Sequence, residues 1–112
     1  MATPCTLNRY LNGYPQVNGN HKKNAAVLNG PTDYDAGGVT IPSIAHVVNL
    51  HEIHVFSRSL LYNVYAVVNT SNPVFKSSDV KVFFIDVATG LQPADNTDLS
   101  AIKIGLVLEG TN

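Results

Sequence analysis

The chain has 112 residues, 45% of them apolar and 13% charged, with a formal net charge of −1. That is a one-domain length with enough apolar content to bury a core, about half the usual share of charge, and none of the basic surplus that nucleic-acid binding needs. Cys5 is the only cysteine, which excludes an internal disulfide framework and a cysteine-built zinc site and fits folding in the cytosol.

The N-terminus, "MATPCTLNRYLNGYPQ", lacks the basic start and apolar h-region of a secretory leader. No run elsewhere approaches the roughly 18 apolar residues of a membrane span, so neither a membrane nor a nucleic acid is an expected partner.

Residues 1–38 read as an extended, loop-like arm. Asn12-Gly13, Asn18-Gly19 and Asn29-Gly30 are turn dipeptides, Pro4, Pro15 and Pro31 interrupt regular pairing, and Gly37-Gly38 closes the segment. "LNGYP" and "LNGPT" are too short and too few to make a repeat. A low-charge arm carrying Leu7, Tyr10, Leu11, Tyr14, Val17, Val27, Leu28 and Tyr34 has apolar anchors with which to lie on its own domain or on a neighbouring subunit. These eight residues are the candidate interface contacts.

From Val39 to the end the pattern is β, and residues 39–112 form the predicted β-domain. "GVTIP" is a short strand candidate; "IAHVVNLHEIHVF" (44–56) and "LLYNVYAVV" (60–68) read as a hairpin turning at Ser57-Arg58-Ser59. "DVKVFFIDV" (79–87) and "SAIKIGLVLEG" (100–110) follow turn-rich segments. In the last of these Ile102, Ile104, Leu106 and Leu108 share one face, opposite Lys103, Gly105 and Glu109. In 79–87 both faces are apolar, as in a central strand or one covered by a second layer. The fold class is therefore all-β: a small sandwich or barrel of about five to six antiparallel strands preceded by the arm.

"HEIH" (51–54) raises the question of a metal. In a strand Glu52 and His54 fall on one side with His46, and His51 on the other, so the motif's two histidines diverge. The zinc-protease pattern needs histidines at i and i+4 of a helix, and His46 stands about 26 Å from His54 along a flat strand, so no metal site or cofactor is expected. "TDYDAGG" and "ADNTDLS" lack the calcium-loop spacing and are explained by turns. Asp86 is expected to turn outward at a strand end onto the backbone of "ATG". With no nucleophile elbow, phosphate loop or dinucleotide fingerprint, the chain reads as a non-enzyme without catalytic residues.

The long Asn/Gly/Pro-punctuated arm leading into a β-domain, with "VKVFFIDVATGLQPADNTDLSAIKIGLVLEG" at its end, resembles the small β-rich virion proteins of tailed bacteriophages, particularly head decoration or cement proteins. The resemblance implies a protein of the virion, assembled in the host cytoplasm. It would bind the major capsid protein or another virion protein, often as a trimer, and clamp neighbouring capsomers. A carbohydrate- or receptor-binding β-sandwich module of a phage tail is the alternative.

Overall fold

A computed structural model describes residues 4–11, 16–18, 21–44 and 47–111. Seven strands run through them: β1 (Thr6–Tyr10), β2 (Gln16–Asn18), β3 (His21–Asn29), β4 (Asn49–Ser57), β5 (Tyr62–Val68), β6 (Val80–Asp86) and β7 (Lys103–Thr111). Five belong to one antiparallel sheet, in which β1, β3, β7 and β4 are successive neighbours and β2 also pairs with β3. β5 and β6 make a second, two-stranded sheet. The all-β antiparallel class expected from the sequence is what forms.

Period-two alternation decides which side chains enter the core. On β7, Ile104, Leu106 and Leu108 are buried, and the register sets Leu28, Ala26 and Asn24 of β3 directly opposite them. Val80, Val82 and Phe84 of β6 close the core from the other sheet with no measurable exposure. Tyr34, Val39, Ile41, Ile44, Val47, Leu50, Phe75 and Leu99 complete one continuous cluster. Each large side chain buried in this way stabilises the fold by roughly 1.5–3 kcal/mol. Asn24 is the buried polar member, and its Oδ1 accepts the Ala25 N–H at 2.9 Å. On the opposite face of β7, Gly105 leaves room for Phe56, whose ring occupies the space that a Cβ there would fill.

Two expectations are corrected. The first is the loop-like arm, because β3 is a nine-residue strand lying between β1 and β7. The Asn29-Gly30 turn signal marks where that strand ends, and the run Ala25-Ala26-Val27-Leu28 between the turn signals has the apolar character to fill a central position. Residues 1–38 and 39–112 thus share one core, to which the first segment supplies Cys5, Leu28 and Tyr34.

The second is the hairpin of 44–56 with 60–68. β4 pairs with β7, and β5 pairs with β6, so the chain changes sheet between them. The corner is built by Ser57, whose Oγ lies within hydrogen-bond reach of the Tyr62 carbonyl and accepts the Ser59 N–H, while Ser59 Oγ accepts the Leu61 N–H. Side-chain hydroxyls here satisfy the backbone groups that a hairpin would have paired. "GVTIP" contributes one isolated bridge, Val39 to Val82.

That bridge covers one edge of the small sheet. Val39 and Val82 exchange both backbone bonds, the Phe84 N–H donates to the Tyr34 hydroxyl, and the Asp86 N–H donates to the Leu91 carbonyl. The β6 edge is therefore closed by the loops around Tyr34 and Leu91, which removes it as a template for further strands.

Candidate functional site

The opposite edge of the small sheet is built differently. On β6 the even-numbered residues direct their backbone groups to the covering loops, so its odd-numbered residues bond to β5. By the same alternation, Val64, Ala66 and Val68 of β5 direct their N–H and C=O groups away from β6. Among the described residues no backbone bond meets them. β4 contacts β5, yet no pairing joins the two strands. The side chains lining the seam are only half-buried: Ile53 and Val55 on β4, and Tyr62, Val64, Ala66 and Val68 on β5.

The outward face of this sheet is apolar as well. Tyr65 stacks on Phe83 with ring centroids 5.1 Å apart and planes 13° apart, and the Phe83 ring packs over Gly38. Gly38 has φ +95, and a Cβ there would stand 2.9 Å from that ring. Tyr65 and Val67 keep nearly half their surface exposed, and Leu60 at the corner is 94% exposed. Leu61, Val87 and Leu91 extend the exposed apolar surface toward one end. The sequence signal for this face was the apolar weight on both sides of "VKVFFIDV" and the absence of any charge in "LLYNVYAVV".

The arm residues fare unequally as candidate contacts. Leu7 and Leu11 are exposed, and Tyr10 is half-buried against the core. Val27, Leu28 and Tyr34 are buried within the chain itself, Leu28 and Tyr34 as members of the core cluster. Tyr14 lies outside the described residues; Val17 is on β2, with its side chain outside them.

"HEIH" sits on β4 at a β-bulge. Leu50 is opposite Gly110 and Glu52 opposite Glu109, which leaves His51 as the extra residue. His51, Glu52 and His54 are all exposed, and His54 Nε2 lies 2.7 Å from Glu52 Oε1. His46 lies outside the described residues, and among those described no three His, Cys, Asp or Glu side chains group as metal ligands. An exposed pair of this kind contributes little, so Glu52→Gln and His54→Gln are each expected to shift stability by less than about 0.5 kcal/mol in urea melts.

Several other carboxylates serve turns. Asp35 Oδ1 accepts the Gly37 N–H, Asp95 Oδ1 accepts the Ala36 N–H and ties the two loops over β6 together, and Asp86 Oδ1 accepts the Ala88 N–H, as its position before "ATG" suggested. Bonds from the Ser100 side chain and backbone hold the Asp98 carboxyl below its usual range.

Cys5 is 1% exposed, and its N–H donates to the Thr40 carbonyl. Burial pushes its thiol up to about 12 from 9.0. Below about pH 9 both folded and unfolded chains keep this proton. Above it the unfolded chain ionises while the folded chain does not, so stability falls with rising pH until about 12. The expected cost is up to about 1.4 kcal/mol per pH unit in that window, measured as the difference between the wild type and Cys5→Ala. Equal pH slopes for the two proteins would rule this out.

A polar groove lies at the end of the large sheet, lined by Thr6, Asn8, Asn29, Thr32, Ser100 and Lys103 among others. Asn29 organises it: its Oδ1 accepts from Asn8 Nδ2 at 2.9 Å and Lys103 Nζ at 2.5 Å, and its Nδ2 donates to Thr6 Oγ1 at 3.2 Å. No protein-family model, curated protein or solved structure matches this chain.

Proposed function

We propose that this is a non-enzymatic structural protein that works by docking on neighbouring protein subunits. The observation that supports it is the small sheet: one open strand edge, a half-buried seam and an apolar outer face occur together on one side of the fold. Backbone groups at an open edge recognise another strand, and adjacent apolar side chains add area. The sparse charge suits interface centres, which are depleted of Lys, Glu and Asp.

Joined to the resemblance carried by the arm and the C-terminal segment, this makes a phage capsid decoration or cement protein, or another minor virion protein, the best reading. Its partner is then the major capsid protein or a neighbouring virion protein, and multiple copies on a lattice gain avidity. Purified protein mixed with purified capsids is expected to co-sediment with them saturably. Capsids that take up none of it under conditions where the protein is folded count against the reading.

A carbohydrate- or receptor-binding module is the second reading, favoured by the groove around Asn29, whose amide and hydroxyl groups are the kind that bond sugar hydroxyls. Saturable glycan-array binding that Asn29→Ala abolishes would select it instead.

A further inference from the structure

The open edge of β5 has the chemistry of a self-pairing strand. "YNVYAVV" contains no charge, proline or glycine, which are the devices that ordinarily protect an exposed edge. The small sheet has only two strands, fewer than the three or more that a stable sheet ordinarily has. Its unpaired backbone groups belong to even-numbered residues, so an antiparallel partner must align even with even. Centring the strand on Tyr65 does this, with Val64 opposite Ala66 of a second copy and Tyr62, whose carbonyl already accepts from Ser57 Oγ, opposite Val68.

We infer that two copies of the chain associate through β5 about a twofold axis at Tyr65, joining their two-stranded sheets into one four-stranded sheet. A second copy is the occupant because every outward pair in that register is uncharged: Tyr65 meets Tyr65 of its partner, and Asn63 meets Val67. Each Tyr65 is already stacked on Phe83, so the pairing extends that stack into a band of rings across the axis. With Leu60, Leu61, Tyr65 and Val67 exposed at 94%, 65%, 45% and 47%, the apolar surface at hand is on the order of several hundred Å² per copy. That approaches the ~800 Å² per partner of a stable interface.

This inference stands apart from the virion reading: it concerns the free protein, and it replaces the trimer that the resemblance implies with a twofold pair. The test is the mass of the full chain by sedimentation equilibrium across a wide concentration range. The wild type is expected at dimer mass. Tyr65→Lys sets two like charges against each other at the axis without touching the core, and is expected to give a folded monomer. Mixing Tyr65→Lys with Tyr65→Glu is expected to restore the dimer as a mixed pair. Ala66→Pro removes an N–H that faces only the open edge and is likewise expected to be monomeric, with its β circular-dichroism signal retained. A monomeric wild type, a trimer, or a dimer indifferent to Tyr65→Lys overturns the inference. Capsid binding by a monomer would leave the function proposal intact while sinking this one.

Discussion

Deleting residues 1–36 is expected to unfold the chain, with loss of the β circular-dichroism signal and of any cooperative urea transition. The deletion removes β1, β2 and β3 together, so β7 loses a partner over eight registered positions, from Lys22–Gly110 to Asn29–Lys103. It also removes Cys5, Leu28 and Tyr34 from the core and uncovers the faces of Ile104, Leu106 and Leu108 against which β3 packed. At roughly 1.5–3 kcal/mol per large apolar side chain, the loss is comparable with the whole ~5–15 kcal/mol stability of a small domain. A truncated chain that stays folded and melts cooperatively would show that β7 and the small sheet suffice without β3.

How far the sequence predicts this arrangement differs from element to element for physical reasons. β7 is legible because its two faces differ: Ile104, Leu106 and Leu108 alternate with Lys103 and Glu109, and the alternation survives in the structure. β3 is not, because its polar residues come first. His21 to Asn24 mask the start of the strand, and Asn24, which reads as a turn residue, is buried opposite Leu108. Sheet membership is less legible still. Nearness in sequence suggested a hairpin between β4 and β5, and only the tertiary pairing of β4 with the C-terminal strand shows that the chain turns a corner there.

The candidate surface was half legible. Two apolar faces on "VKVFFIDV" announced that something covers the second face, but the composition alone does not say whether the cover is intramolecular. The structure shows the Gly38 backbone beneath Phe83 and, beyond Tyr65, an edge that none of the described residues pairs. The bulge at His51 explains why "HEIH" misleads as a pattern. An extra residue inserted after Leu50 breaks the alternation, so that the consecutive polar residues His51 and Glu52 both face solvent where strict period two would have sent His51 inward.

Phe84→Ala is expected to lower stability by about 3–5 kcal/mol and the melting temperature by about 15 °C, the scale for emptying a buried aromatic site in a domain of this size. Phe84 is fully buried and is met edge-on by Tyr34, at 5.7 Å between centroids, and by Tyr62, at 6.3 Å. The Tyr34 hydroxyl makes a separate contribution that Tyr34→Phe isolates. The Tyr34 hydroxyl accepts the Phe84 N–H at 3.2 Å and donates to Gln92 Oε1, joining the arm, β6 and the 91–99 loop. Burial raises the pKa of that hydroxyl, so it stays protonated and keeps both roles through neutral pH. Tyr34→Phe keeps the ring contact but leaves a buried N–H without its acceptor, at an expected cost of about 1–3 kcal/mol. Because the two rings touch, the double variant Tyr34→Ala, Phe84→Ala should lose less than the sum of its single losses, and denaturant melts of those four proteins read the ring coupling directly. Strict additivity would mean that the contact between the two rings carries none of the stability.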